Sequence, residues 1–582
     1  VSLGDMAPLI EKVKYTMTRL NRVYLNFLMV VGPAADQNRD YDFAALFPDE
    51  LAELRAISDL LYALADEYIA LNGSGGAQSQ QLESFAWQLR RMCDRPERIA
   101  GLFQEFVNNI SALGTWINGV MSQPLEIDYL LLTPPGEALP SAAAGFGESV
   151  RFSVEKFIYS FLEDYETVGM TGDADTSITV WTFSGRDQAN AINQLIVNDF
   201  SPGHAMQVNL QLVPAGTLLP ATMAGKGPDV ALSVAQADPL NFAIRGAVAD
   251  LRQFPDYEQV AAQFPASART PLEYSGAAYG IPETQNFPVM IYREDILSEL
   301  GLEPPDTWDE VVSLITDLQK NNMSFGLPQP YIPEQVGAGI TAYAMFLYQQ
   351  GGTFYNEEGT QALLDSDEAV TAFSNWLMYY NDYLLDARYD FLTRLRAGEV
   401  PIGIADYGVY NSLSVFAPEL SGVCRFALVP GTQTEEGLNR SVASTVTASV
   451  LMGRASDLQA GWEFIKWWTS GEVQTLYGRE IESIMGSAGR YQPANTQALE
   501  QIPWSSSDLQ VLLEQRDWTV GMPEIPGSYV TPRYIDFAFK QAYRNTSTSS
   551  STVADPGEAL LDANRLINVE IDSKLQEFGI AD

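Results

Sequence analysis

Near residue 175 the chain changes its hydrophobic period, and no other feature limits its possible folds as much. Before that point apolar residues recur at helical spacing, in KVKYTMTRLNRVYLNFLMVV, DELAELRAISDLLYALADEYIAL, LESFAWQLRRMCD and PERIAGLFQEFVNNISALGTWINGVM. Pro96 stands where a first helical turn accepts proline. A Pro/Gly/Ala connection over 133–149 leads to an expected last helix at 150–167. Antiparallel helices with short links form a bundle. Trp87, Trp116 and Tyr129 offer it a docking face, although aromatics at helical spacing more often fill a core. After the linker GMTGDADTS (169–177), strand and helix signals alternate instead. SITVWTF, a helix through 187–200, QVNLQLV, GPDVALS and a helix toward Val248 read as successive βαβ units in a mainly parallel sheet. Helical patterns return at 306–320, 338–351, 366–385 and 455–470, with strands at 401–405 and 425–430 and a final helix at 556–577. The expected organisation is an all-α module over 1–172, serving as spacer or interaction module, and a two-lobed α/β unit over 177–582 with a crevice between its lobes.

Composition removes several function classes. The chain has 582 residues and a formal net charge of −40. Such a field repels nucleic acid and anionic lipid and disfavours an anionic ligand, while a neutral ligand is compatible with it. The two cysteines, Cys93 and Cys424, stand far apart and read as buried free thiols, so neither a disulfide scaffold nor a thiolate metal site is expected. His204 is the single histidine and sits in the turn SPGHAM, which leaves no material for a histidine zinc site or a Ser-His-Asp triad. No metal and no cofactor are expected. No apolar run reaches membrane-spanning length, and the chain starts inside a helical pattern, so an export signal or anchor is expected outside this sequence.

Three loops carry the chemistry. YGIPETQNFPVMIYREDIL (279–297) places Glu283, Gln285 and Asn286 beside a short apolar strand that runs into a helix. ITVWTFSGRD (178–187) and VPIGIADYGVY (400–410) repeat the arrangement, each with an aromatic beside hydrogen-bonding groups. Sugar recognition needs flat apolar faces for C–H patches and planar acceptors for vicinal hydroxyls. Trp181, Tyr407 and Tyr410 supply the faces; Glu283, Gln285, Asn286 and Asp406 supply the acceptors. Trp181 has a competing role as a core tryptophan, and Asp406 as a helix cap for GVYNSL. Gln285 and Asn286 are adjacent, so on a strand only one of them faces a cleft.

The ordered series ITVWTFSGRD, GKGPDVAL, ADPLNFAIRGAVADL, YGIPETQNFPVMIYREDIL, PDTWDEVV, LYQQGGTFYNEEG, FLTRLRAGEVPIGIADYGVYNSL, GWEFIKWWTSGEVQTLYG and SIMGSAGRYQPAN resembles the family 1 extracellular solute-binding proteins of ABC importers, the maltose-binding-protein-like group. The resemblance runs from about residue 177 to the C-terminus. It implies a two-lobed periplasmic-binding-protein-like (Venus-flytrap) fold that closes on a ligand and docks on a membrane permease. By it, Trp181, Ser184 and Arg186 fall at the first strand's tip, with Arg186 partly structural, and Gln236 follows the GPDV strand. Glu283, Gln285 and Asn286 fall at the lobe crossover, and Tyr331, Asp406, Tyr407, Tyr410 and Arg490 face the cleft from the second lobe. The helical module departs from the standard pattern and looks like the additional domain of large, membrane-tethered binding proteins of Gram-positive bacteria. The implied function is extracellular capture of a neutral oligosaccharide without turnover, by a monomer delivering to permease subunits. Two other classes compete: a glycoside hydrolase using Glu283 and Asp406, and a helical adhesion or structural protein.

Overall fold

Four long helices carry the first part of the chain: α1 (Leu3–Val31), α2 (Pro48–Asn72), α3 (Ala77–Asp94) and α4 (Ile99–Met121). This computed structural model describes residues 3–31, 41–73, 75–121, 167–170, 176–204, 206–330, 337, 339–420, 422–544 and 554–580. Leu54, Ile57, Leu61 and Leu64 recur every three or four positions and are wholly buried. Each such side chain stabilises the bundle by about 1.5–3 kcal/mol through burial. Trp116 belongs to this core, whereas Trp87 is exposed with Arg91 stacked over its ring; Tyr129 lies outside the described residues. The helix expected at 150–167 also falls there, except that Thr167 already opens a strand, β1 (Thr167–Met170).

The first lobe is built on β2 (Thr176–Thr182), β3 (Met206–Leu212) and β4 (Val230–Ala235), with β2 parallel to both neighbours and α5 (Arg186–Leu195) following β2. The sheet is mixed rather than mainly parallel. β1 joins β3 antiparallel, and β10 (Val442–Leu451) joins both β4 and β5 (Ile281–Asn286) antiparallel. The second lobe holds β6 (Pro288–Arg293), β7 (Phe325–Gly326), β8 (Ile402–Asp406) and β9 (Cys424–Ala427), in the order β9-β6-β8-β7. Its helices include α6 (Trp308–Lys320), α7 (Ile340–Gln349), α8 (Asp367–Asn381), α9 (Phe391–Ala397) and α10 (Val409–Phe416). The start of α6 follows from PDTWDE: the Thr307 hydroxyl accepts from the Glu310 N–H, and the Glu310 carboxylate accepts from the Asp306 and Thr307 N–H groups.

The chain passes between lobes at Phe287, the residue separating β5 from β6, and returns at β10. Helices α11 (Leu458–Trp468) and α12 (Gly471–Met485) belong to the first lobe, and β11 (Thr519–Gly521) pairs with the start of β10. The chain then crosses once more to α13 (Thr531–Ala542) and α14 (Pro556–Glu577), which cover the second lobe beside α7 and α8. The bundle does not stand apart from these lobes. Its apolar residues and those of the second lobe form one continuous core, and α4 packs on α9 and α10. Cys424 is buried and Cys93 half-buried, both as free thiols. His204 is half-buried, its ring stacked 4.1 Å from that of Phe200.

Candidate functional site

The crossover strands have two unlike faces. Strand alternation puts Glu283 and Gln285 of β5 on the buried side and leaves Thr284 and Asn286 half-exposed on the other. β10 repeats the division: Ser444 and Ser449 are buried, Thr445 and Thr447 half-exposed. Register then brings like to like. Asn286 lies opposite Thr445, and the Thr284 and Thr447 hydroxyls meet at 2.7 Å.

The buried side makes many protein bonds, although the Gln285 side-chain oxygen is buried without a described partner. Glu283, 2% exposed, accepts from the Ser233 N–H at 3.0 Å, the Ser233 hydroxyl at 3.1 Å and the Ser449 hydroxyl. Burial raises its pKa, against the opposing pull of those donors. Ser233 holds a left-handed backbone, φ 56°, beside a bulge where β10 changes register against β4. A non-glycine residue there is strained by about 1–3 kcal/mol, so Glu283 pins a bulge in the first lobe. Gln285 donates to the Ser267 and Ser444 hydroxyls, 3.0 Å each. Neither residue reaches a ligand surface, which corrects their expected roles.

Trp181 and Tyr407 are corrected likewise. Trp181 is 7% exposed, sits in an apolar cluster with Val213, Leu218, Phe242 and Val248, and donates its indole N–H to Gln211 at 2.7 Å. Tyr407 is wholly buried against Phe287 and donates its hydroxyl to the Gln285 carbonyl at 2.8 Å. At the carboxyl end of β2, Ser184 is half-buried and bonded to Thr182, and Arg186 is exposed on the first turn of α5. Among the described residues neither bonds to the second lobe. Gln236 is committed at both ends, accepting from the Val446 N–H and donating to Glu524. Tyr331 lies outside the described residues.

The remaining expected residues meet at the seam between the lobes. Asp406 ends β8 opposite Pro288, two positions along the chain from Asn286. Asn286 accepts from the Gly408 N–H at 3.3 Å, and a side chain at Gly408 would collide with the Gln492 amide. Tyr410 stacks edge-on to Trp504, with ring centroids 5.7 Å apart, and the Arg490 guanidinium lies 4.5 Å over the same indole while donating to Glu482. Asn411 donates to the Arg490 carbonyl, and Ser414 meets Ser487, so α10 of the second lobe touches the turn after α12 of the first. Within this cluster the Asn411 amide oxygen and one Glu482 carboxylate oxygen are buried without a described partner. Asp406 has no described donor at all: it is half-buried, and desolvation alone pushes its pKa up to about 6. Trp504, 9% exposed, keeps a buried indole N–H without a described partner.

Gln492, Trp504, Thr445 and Thr447 were not singled out from sequence. The alternation in VASTVTASV marks the threonine face, and Gln492 stands two positions from Arg490; Trp504 carries no local signal. A hollow of about 810 Å³ between the lobes lies against the opposite face of the crossover strands, since it is lined by Ser267, the partner of buried Gln285. Its volume does not make it the candidate site. Among the described residues no group of His, Cys, Asp and Glu has the geometry of a metal site.

Comparison with known proteins gives two family matches. Residues 214–508 match the bacterial extracellular solute-binding protein family, and residues 8–120 match the four-helix bundle domain of bacterial solute-binding proteins. The chain is 24% identical over 361 residues to the arabinooligosaccharide-binding protein of Bacillus subtilis (strain 168), covering 58% of this chain and 76% of that protein. In fold it is similar to the sugar-binding protein MalE of Xanthomonas citri (TM-score 0.58, 14% identity, 70% of this chain and all of that one). It is also similar to the cyclic α-maltosyl-1,6-maltose binding protein of Arthrobacter globiformis (TM-score 0.56, 17% identity, 68% of this chain and 99% of that one).

Proposed function

The chain belongs to the bacterial extracellular solute-binding proteins, and from that membership we propose that it captures a neutral oligosaccharide at the seam between its lobes and hands it to the permease of an ABC importer. The observation that carries this reading is the Asp406 carboxylate: half-buried, unpartnered among the described residues, and followed by Tyr410, whose ring packs on Trp504. A carboxylate in that position accepts from two neighbouring hydroxyls while an aromatic edge covers a ring's C–H patch. Asn286, Thr445 and Thr447 add hydroxyl and amide groups along the same face. The net charge of −40 disfavours an anionic ligand. The arabinooligosaccharide-binding relative and the sugar-binding structural neighbours support the same ligand class.

The family and its relatives are binding proteins, and we read this chain as a binder without turnover. A hydrolase would need Glu283 and Asp406 facing one glycosidic bond. Glu283 instead spends its carboxylate on Ser233 and Ser449 inside the first lobe. We propose that the protein works outside the cell, tethered at the membrane; no helix among the described residues is long and apolar enough to cross one. The test is calorimetric titration with a panel of arabino- and malto-oligosaccharides, followed by product analysis. Saturable binding without release of reducing ends is expected. Binding by none of the panel, or steady release of reducing ends, overturns the reading.

A further inference from the structure

We propose that the helical bundle is the buttress of the second lobe's half of the ligand seam: through α4 it fixes α9 and α10, and with them the Asp406–Gly408 turn and Tyr410. The link to ligand affinity rests on the reading above; the mechanical link does not.

The bundle and second lobe are joined as the interior of one domain is joined. Tyr24 and Leu28 of α1 and Phe103 and Val107 of α4 are all buried, and together with Met323 and Arg394 of the second lobe they line a residual cavity of only about 50 Å³. In the same interface lies a charge cluster that is sheltered by both halves. Arg394, 7% exposed at its side chain, pairs with Asp386 and stands 3.5 Å from the Glu399 carboxylate, itself 6% exposed. The Tyr24 hydroxyl of the bundle lies beside that carboxylate. Parting the two halves would expose the apolar rim and take the Tyr24 hydroxyl away from Glu399. A tether would instead present a polar, solvated contact.

The interface leads directly to the seam. Arg394 belongs to α9, and Glu399 follows it just before β8, the strand that ends at Asp406. Helix α10 starts three residues beyond Asp406 and carries Tyr410 and Asn411. At its far end Phe416 is buried, with Arg396 of α9 stacked 5.1 Å over its ring and bonded to Glu419. Asn21, Arg22 and Asn26 of α1 line a groove with Arg396 and Glu419 on the outside of this contact. The bundle thus holds α9 and α10 from the side away from the ligand seam, and it travels with the second lobe when the lobes close.

The experiment uses the full chain with Val107→Glu, which places a charge in the interface, and Tyr24→Phe, which removes only the hydroxyl beside Glu399. Amide hydrogen exchange is followed in residues 409–416, with 230–235 of the first lobe as reference, and binding of arabinotriose and maltotriose is titrated in parallel. Exchange at 409–416 should rise about tenfold or more in Val107→Glu and less in Tyr24→Phe, with 230–235 unchanged. Affinity for whichever sugar binds the parent should fall in the same order. Unchanged exchange at 409–416 while α4 itself exchanges faster would overturn the proposal, and so would loosened exchange with unaltered affinity. If Val107→Glu does not fold, Tyr24→Phe decides by the same two readouts. If exchange responds as expected but neither sugar binds even the parent, the ligand class is wrong and the buttress stands.

Discussion

The first-lobe end of the crossover holds a buried carboxylate and the second-lobe end a half-buried one, and the two are treated in opposite ways. Glu283 lies behind β5 with three donors converging on it from Ser233 and Ser449. Asp406 lies at the tip of β8, also raised by desolvation, with no described donor. Satisfying a buried carboxylate holds a fold together, and leaving one unsatisfied costs stability unless something else arrives to bond it. On the proposed reading, the contrast separates a residue that shapes the lobe from one available to a ligand.

The largest effect that can break the comparison is on stability. Glu283→Ala strands the Ser233 N–H and two hydroxyls beside a strained backbone, and leaving buried donors unpaired costs about 1–3 kcal/mol each. We expect a loss of at least about 3 kcal/mol in denaturant unfolding, with the protein that remains folded binding its sugar within about threefold of the parent. An intact midpoint with abolished binding would place Glu283 in the ligand site after all.

Asp406→Ala should do the reverse. Losing charge-assisted hydrogen bonds worth about 1.5–3 kcal/mol weakens affinity roughly tenfold to a hundredfold. The melting temperature should hold or rise, because an unpaired, partly desolvated carboxylate has been removed. A fall in melting temperature with normal affinity would make Asp406 a structural residue.

How much of this was legible beforehand depended on whether a residue's partner was near in sequence. The helical and strand periods located α6, α8, α11 and α14 and placed the change of architecture near residue 175, because those signals are local. The place of Asp406 at the polar end of the apolar strand PIGIA was legible. Trp181 was not, because its indole turns to Gln211 on the neighbouring strand. Sequence showed that only one of Gln285 and Asn286 could face the cleft. Which one was set by pairing with β10, about 160 residues away, through a ladder that contains a register shift. The Arg394–Glu399 cluster was hidden for the same reason: its sense comes from Tyr24, in a module that read as a spacer.

Acidity sharpens the comparison further, since two properties of Asp406 should move in opposite directions. Its pKa is raised in the native state, to about 6 from an ordinary 3.8, so the folded protein holds a proton that the unfolded chain has released. Its contribution to stability is therefore fully present below about pH 4 and is lost as the pH rises through about 6. Ligand hydroxyls bond the ionised form, so affinity should be full above about pH 6 and fall by up to tenfold per unit below it. Glu399, pushed up to about 7 by burial against the opposing pull of Arg394, adds a second fall in stability between about pH 4.5 and 7. Titrations from pH 5 to 8 should show the affinity slope vanish in Asp406→Asn and the later part of the stability slope vanish in Glu399→Gln. An affinity slope that survives in Asp406→Asn would assign the titration to another group.

The smallest expected effect belongs to Tyr407, one residue from Asp406. Its ring packs on Phe287 at 4.8 Å and its hydroxyl donates to the Gln285 carbonyl, tying the β8 tip of the second lobe to the crossover strand. The Gln285 N–H in turn donates to the Gln492 carbonyl at 3.0 Å, so the bond closes a short path across the seam. Tyr407→Phe keeps the ring and its packing and removes one neutral hydrogen bond, worth about 0.5–1.5 kcal/mol. Denaturant unfolding should shift by that amount while affinity stays within about twofold, since Asp406 and Tyr410 keep their own supports. A tenfold loss of affinity at unchanged stability would mean that the hydroxyl leaves Gln285 for the sugar when ligand binds. In that case burial would not separate fold from site at this turn, and the contrast between Glu283 and Asp406 would have to rest on the unpaired carboxylate alone.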